Sequence, residues 1–350
     1  MAYVVVHAGA GVISTRDELA LRAACTEAAR IALAILNEPN QSSAKSGDSV
    51  AMKAVIAASA SLEDNGCTNA GCGSNLNRDG VVECDALCMD GRNGATGAVS
   101  GMRNVRNPIK AAHLVMTEES KGADSRLGLV PPIMLAGSGV EEYLKQKNAS
   151  DLLLEQQQQQ QQGQQQPELD GNEETMMYDT VGVVCIDHDG NVAAGVSSGG
   201  IALKYSGRVG EAAVFGSGCW ARNGCESSNR YTVGCSASGM GEQIMKTALS
   251  RICAEQLEED VDDPVAVLST TVRHKFLNSW LLSNVSKRHA GLVMLRQSPF
   301  SEESKSTELL AVHTTPAMVF AYASERSSRV RSAVSRLKDG SDLRVLALPL

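Results

Sequence analysis

The sequence predicts an α+β fold, and three observations predict it. Short apolar runs of strand length, among them Tyr3 to Val6 and Thr180 to Asp187, stand in both halves of the chain. Helix-length stretches rich in alanine and leucine also stand in both halves. Between the halves the composition changes, from about Glu141 to Asp179, where ten glutamines between Gln156 and Gln166 are followed by Pro167, Asp170 and Gly171. That stretch reads as a linker or a frayed helix.

The first strand, Tyr3 to Val6, runs into "HAGAG", whose glycines permit tight turns. Thr15 and Glu18 then make a capping-box pattern that opens a helix to Leu36. A second helix is expected from about Asp48 to Leu62, and "NGCTNAGCGSNLNRDG" after it is a loop by composition. Beyond the glutamine tract, "TVGVVCID" and "NVAAGVSS" read as two strands joined at Asp189-Gly190, a strong hairpin signal. Gly239 to about Leu257 is expected to be one helix, with Ile244, Met245, Ala248, Leu249 and Ile252 on one face. "GLVMLRQ" and "LLAVHTT" are later strands, and the cluster Arg326, Arg329, Arg331, Arg336 and Lys338 reads as a charged helix face.

At 350 residues the chain has room for one large domain or two ordinary ones. Aromatic residues are only 3% of it, so small residues must do much of the packing. A formal net charge of -8 argues against nucleic acid as a partner. No run of eighteen apolar residues suggests a membrane span, and "MAYVVVHAGAG" lacks the basic start of a signal peptide, so a soluble, intracellular protein is expected. The ten cysteines are then read as reduced thiols, and the sequons at Asn40, Asn148 and Asn284 as incidental. Cys67/Cys72 and Cys84/Cys88 form no CxxC and have no histidine at ligand spacing, so neither a metal nor a cofactor is expected.

The chemistry is read at the step from Asp179 to Thr180, where low-complexity sequence gives way to a patterned strand. If that peptide bond were cut, the threonine hydroxyl would sit beside a free α-amine on the same residue. Such an amine titrates near about 8 and can take the hydroxyl proton without a histidine. The first event would be attack by the Thr180 hydroxyl on the Asp179 carbonyl, giving an ester that water resolves. The dipeptide alone is weak grounds for this. Its company is stronger: "VSSGG" follows with Ser198, then "SGRVGEA" with Arg208, then "CSASGMGE" with Ser238, Gly239 and Gly241.

In this order, "HAGAG", "TNAGCGSNLN", "ECDALCMDG", "DTVGVVCIDHDGNVAAGVSSGG", "GRVG" and "GCW" resemble the N-terminal-nucleophile hydrolases of the plant-type asparaginase and glycosylasparaginase family. The nearer likeness is to its endopeptidase branch, the threonine aspartases. The resemblance covers the chain to about residue 255. It implies a four-layer αββα sandwich, a single domain processed into subunits 1–179 and 180–350, and pairing of two processed units. It makes Thr180 the nucleophile and Ser198 a second hydroxyl beside it, a serine where the asparaginases usually carry threonine. It makes Ser238 and the Gly239 amide oxyanion donors, with Asn69 supporting them. Arg208 becomes the clamp for a substrate carboxylate, with Gly241 also at the substrate. Glu211 falls where small-molecule members usually hold the substrate ammonium with an aspartate.

Because an endopeptidase has no need of an ammonium clamp, the longer Glu211 tips the expectation toward cutting after aspartate in protein substrates. By resemblance these are nuclear transcription regulators, met in nucleus and cytoplasm. An isoaspartyl peptidase/L-asparaginase acting on small substrates stays open beside it, as does a non-catalytic scaffold of the same fold.

Overall fold

The computed structural model describes residues 1–38, 47–122, 128–154, 180–299 and 306–350. The glutamine tract and Asp179 lie outside the described residues, as does Asn40. In chain order the strands are β1 (Tyr3–Gly11), β2 (Cys84–Asp90), β3 (Thr96–Met102), β4 (Met134–Ala136), β5 (Val181–Ile186), β6 (Val192–Ser198), β7 (Cys219–Arg222), β8 (Thr232–Gly239), β9 (Ala290–Gln297), β10 (Thr307–His313), β11 (Ala317–Ser324), β12 (Ser327–Arg336) and β13 (Arg344–Pro349). The α-helices are α1 (Thr15–Leu36), α2 (Val50–Glu63), α3 (Pro108–Glu119), α4 (Ser138–Gln146), α5 (Gly241–Thr247), α6 (Leu249–Leu257) and α7 (Pro264–Val272).

Eight strands form one sheet in the order β12-β11-β1-β5-β6-β2-β3-β4, and five form another in the order β13-β10-β9-β8-β7. Helices α1, α2 and α3 cover the outer face of the larger sheet, the two sheets pack on each other, and α6 and α7 cover the outer face of the smaller. This is the four-layer αββα sandwich. Strand β1 shows why the layers separate. Its side chains alternate between faces, so Val4, Val6 and Ala8 enter the core under the helices while Tyr3, Val5 and Ala10 enter the core between the sheets. A strand buried on both faces has little room for polar residues, which is why β1, β5 and β6 read as nearly unbroken apolar runs.

Four local expectations change. "HAGAG" is a continuation of β1 rather than a turn, with its pairing to β11 shifting between His7 and Ala10. The cap of α1 is Ser14, whose Oγ accepts from the Asp17 amide, one residue before the expected box. The helix expected over 239–257 begins after β8 has ended at Gly239 and breaks at Ala248, which has φ +45°, so α5 and α6 present different faces. Ile252 is accordingly half-buried while Cys253 and Ala254 are in the core. Finally, Arg329, Arg331 and Arg336 lie on an edge strand, β12, not on a helix. Exposed charge at alternate positions is how an open sheet edge resists pairing with another chain.

Glu63 ends α2 fully buried, and its Oε1 accepts from the Ile109 amide 2.9 Å away, in the first turn of α3. It thus serves a helix end that Asn107 leaves without a side-chain cap. Burial pushes the Glu63 carboxyl from 4.5 up to about 8. The folded state therefore prefers the proton. The stability this confers is complete below about pH 4.5 and is lost as the pH rises toward about 8, at about 1.4 kcal/mol per pH unit inside that window. Glu63→Gln keeps the acceptor and removes the titration. Its melting temperature is expected to gain on the wild type steadily from about pH 5 to pH 8; parallel melting curves across that range would show that Glu63 does not titrate there.

Candidate active site

Thr180 directly precedes β5, and the register of β1 on β5, with Ala8 opposite Val181, holds that end of the strand near the middle of the larger sheet. Its side chain is almost fully buried. Thr180 Oγ1 lies 2.8 Å from Glu211 Oε1 and 3.1 Å from Ser198 Oγ. The hydroxyl has one proton, and the acceptor-only carboxylate at the shorter distance is the better place for it. Ser198, the last residue of β6, accepts in turn from the Gly200 amide at 3.0 Å, which fixes its orientation.

The loop from Gly199 to Glu211 carries the other half of the site and is tied down from β2 and from the loop after α2. Asp85 accepts from the Gly210 amide at 2.8 Å and from the Gly101 amide at 3.0 Å. Glu83 takes the Gly207 amide at 2.9 Å, the Ser206 hydroxyl at 3.0 Å and Arg103 at 2.8 Å. Lys204, itself buried, donates its Nζ to the Glu83 carbonyl at 2.6 Å. Asn69 grips the start of the same loop: its carbonyl accepts from the Gly199 amide and its Nδ2 donates to the Gly200 carbonyl, both at 2.8 Å. Its Oδ1 accepts from the Asn75 amide at 2.9 Å.

Two buried acids flank that loop with opposite outcomes. Burial raises the Asp85 carboxyl above the usual range, against Lys204 and the Gly210 and Gly101 amides. Burial also acts on Glu83, but the Gly207 amide, Arg103 and Ser206 outweigh it and hold that carboxyl below the usual range.

Arg208 reaches across to Glu242, in the first turn of α5, with a two-bond fork: Nε to Oε1 at 2.8 Å and a terminal nitrogen to Oε2 at 2.7 Å. The Arg208 side chain is only 13% exposed whereas that of Glu242 is 48% exposed, so the arginine is the more firmly packed member of the pair. Gly241 sits where backbone meets both walls of the pocket. A Cβ there would fall 2.4 Å from Glu211 Oε2 and 2.9 Å from Arg208, so no side chain fits. Ser238 and Gly239 end β8 beside it. Ser238 Oγ accepts from the Ala10 amide at 3.1 Å, and Gly239 has φ +139°, with a Cβ excluded by the His289 carbonyl at 2.6 Å.

Burial raises the Glu211 carboxyl above the usual range, against its bond to Thr180 and the nearby Arg208. Near Thr180, burial pushes the His7 imidazole down to about 3, so it is neutral where Nε2 meets Ser236 Oγ at 2.9 Å. Among the described residues no group of three or more His, Cys, Asp or Glu side chains is placed to hold a metal ion. No described helix is long and apolar enough to cross a membrane.

The structure thus brings Thr180, Ser198, Glu211, Arg208 and Gly241 into one cluster, sets Ser238 and Gly239 just before Gly241 at the end of β8, and uses Asn69 to hold the loop after Ser198. Reading the sequence did not find Glu83, Asp85, Lys204 or Glu242. The segment "ECDALCMDG" was singled out, but nothing in it says that its carboxylates meet amides 124 and 125 residues away. Nor did the sequence place Glu211 on the Thr180 hydroxyl.

Comparison with known proteins fits this architecture. Residues 1–278 match a family model described as asparaginase. An isoaspartyl peptidase/L-asparaginase of Xenopus laevis is 35% identical over 73% of this chain and 76% of its own length. The human isoaspartyl peptidase/L-asparaginase is 35% identical over 73% and 77%, and a plant-type L-asparaginase of Pyrobaculum calidifontis is 35% identical over 76% and 83%. These names overturn the expected endopeptidase that cuts after aspartate in nuclear transcription regulators. The expectation leaned on the extra methylene of Glu211. That side chain keeps its charge and lies against Gly241 beside Arg208, so its length alone could not separate a small-substrate pocket from a peptide groove. An αββα sandwich, a pocket built on Thr180 and a family match over most of the chain agree: this chain belongs to the asparaginase family, in its plant-type, N-terminal-nucleophile branch.

Proposed function

We propose that the protein is a self-processing amidohydrolase that cleaves the side-chain amide of asparagine and the isoaspartyl peptide bond, with Thr180 as nucleophile. The carrying observation is the Thr180 hydroxyl 2.8 Å from Glu211, in a pocket whose far wall is Arg208. In both substrates the reacting carbonyl stands two carbons from an α-carbon that bears a carboxylate and an ammonium. Arg208 takes the carboxylate by its fork, Glu211 faces the ammonium, and the carbonyl is left to Thr180.

The α-amine of the freed Thr180 takes the hydroxyl proton as Oγ1 attacks, and the same proton passes to the departing nitrogen as the carbon–nitrogen bond breaks. Water then hydrolyses the resulting ester. The Ser238 hydroxyl and Gly239 amide serve the charge that develops on the carbonyl oxygen, and Asn69 supports them by holding the turn at Gly199 and Gly200. Processing gives fragments 1–179 and 180–350 that stay in one domain. Strands β5 and β6 of the second fragment pair with β1 and β2 of the first, so the cut leaves the sheet intact.

Intact mass on fresh wild type should show two fragments meeting at Asp179 and Thr180, and Thr180→Ala should stay a single chain; a split at that bond in the alanine variant removes Thr180 as nucleophile. The processed protein should then release aspartate from both L-asparagine and a β-aspartyl dipeptide. Arg208→Ala is expected to lose about 10²-fold in kcat/KM for either substrate, the equivalent of about 3 kcal/mol for a lost charge-assisted fork, while self-cleavage changes less. Unaltered turnover in that variant would place the carboxylate elsewhere. Glu242 presents to Arg208 the same two-oxygen face that a substrate does, so Glu242→Gln should lower the inhibition constant of the product aspartate. An inhibition constant that rises instead would mean that Glu242 aligns the arginine rather than competing for it.

A further inference from the structure

The free α-amine that serves as base during turnover does not exist in the uncut chain. There the Thr180 nitrogen is the amide of the Asp179–Thr180 bond, its lone pair delocalised and not basic. Some other group must take the hydroxyl proton for the first cut, and it has to be within hydrogen-bond reach of Oγ1. Glu211 Oε1 is at 2.8 Å. Ser198, at 3.1 Å, is an alcohol and no better a base than the threonine. The His7 imidazole has its Nε2 engaged with Ser236, makes no hydrogen bond to Oγ1, and is held by burial down to about 3, which makes it a poor proton acceptor.

We infer that Glu211 is the general base of self-cleavage, a catalytic role separate from its later contact with the substrate ammonium; the inference rests on the reading of Thr180 as a self-cleaving nucleophile. The carboxylate takes the Thr180 hydroxyl proton as Oγ1 forms a bond to the Asp179 carbonyl carbon. The tetrahedral adduct collapses by breaking the bond from that carbon to the Thr180 nitrogen, and Glu211 returns the proton to the nitrogen as it leaves. An ester of Asp179 on Oγ1 and a free amine on Thr180 result. Water hydrolyses the ester to the Asp179 carboxylate and the Thr180 hydroxyl, and the new amine then takes over as base.

Two structural features suit Glu211 to this work. It is 3% exposed and packed close to Gly241, where an added methyl group would fall 2.4 Å from Oε2, so burial and close packing hold the carboxylate at the hydroxyl before any ligand arrives. Its length also matters. An aspartate at this position would be shorter by about one carbon–carbon bond, about 1.5 Å, which takes a 2.8 Å contact out of hydrogen-bond range. The same position therefore reads as a clamp in a shorter side chain and as clamp and base in this one. The charged and titratable groups that bear on it are Arg208 on its own loop, Asp85 on β2, and Glu242 on α5 through its pairing with Arg208.

The test follows the conversion of freshly made precursor into two fragments by intact mass, for wild type, Glu211→Gln and Glu211→Asp, with a thermal melt of each. Glu211→Gln preserves shape and the hydrogen-bond acceptor but cannot hold the proton, and should slow self-cleavage by about 10²-fold or more. The wild-type rate should rise with pH as the carboxyl ionises, and that rise should vanish in Glu211→Gln. Glu211→Asp keeps the charge beside Arg208 and should also be slow. If the glutamine variant does not fold, the aspartate variant decides alone, and cleavage within about threefold of wild type overturns the assignment. Wild-type cleavage matched by Glu211→Gln, with an unchanged pH profile, removes Glu211 as base and leaves Thr180 as nucleophile. A wild type that never cuts at Asp179 removes both.

Discussion

Everything in the site depends on two carboxylates, Glu83 just before β2 and Asp85 within it, accepting backbone amides from the loop that carries Arg208 and Glu211. A loop of thirteen residues between Gly199 and Glu211 has no ladder of its own to hold it. Its amide at Gly210 is buried and, left unsatisfied, would cost about 1–3 kcal/mol, and the amide at Gly207 is held beside it. Carboxylates meet them, but a buried carboxylate without compensation costs more than it returns. The compensation is local: Arg103 and Ser206 on Glu83, and Lys204 beside Asp85. The acid at the rim is thereby held below the usual range and the acid beneath it above, so the anchor nearer solvent carries the firmer charge.

The sandwich explains why Thr180, the proposed nucleophile, stands at the head of a strand. A residue at the head of β5, flanked by β1 and β6, has its backbone direction set by two ladders at once. Its hydroxyl is then aimed by the sheet, and only its partners have to be brought to it. Ser198 arrives because β6 is the hairpin partner of β5, and Glu211 arrives on the loop that leaves β6. The site is mostly one hairpin and the chain that follows it, locked from behind by β2. That is also why a cut before Thr180 need not loosen the fold: the severed bond lies ahead of the ladder, not in it.

This organisation decides what the sequence could tell. Strands buried on both faces declare themselves as apolar runs, and β1, β5, β6, β9 and β10 were legible for that reason. Helix ends were less so, since Ser14 and Thr15 are both competent caps and only the backbone geometry chooses between them. The break at Ala248 was invisible, because alanine is the best helix former and gives no warning of a left-handed residue. The arginines of β12 misled because an exposed edge strand and an exposed helix face are both merely charged. In the site, residues embedded in ordered motifs, such as Thr180, Ser198 and Arg208, were found. Lys204 and Glu242 were not, since a lysine or glutamate in a sequence looks solvated until its partner is known.

The two charged side chains nearest Thr180 and Gly241, Arg208 and Glu211, are each answered from within the protein. Arg208 has a carboxylate on it, supplied by Glu242, and Glu211 has a hydroxyl on it, supplied by Thr180. On the proposed function, each is the chemical kind of partner that its side chain would meet or act upon. Binding an amino-acid substrate would then be an exchange, in which one carboxylate displaces another from the guanidinium and an ammonium draws Glu211 from the hydroxyl. Exchanges of like for like gain little free energy, because the internal bond must break for the external one to form. What such a pocket gains is discrimination. A ligand with a carboxylate but no ammonium displaces Glu242 and leaves Glu211 on the nucleophile. One that carries both releases the Thr180 hydroxyl from the buried acid and hands its proton to the amine beside it.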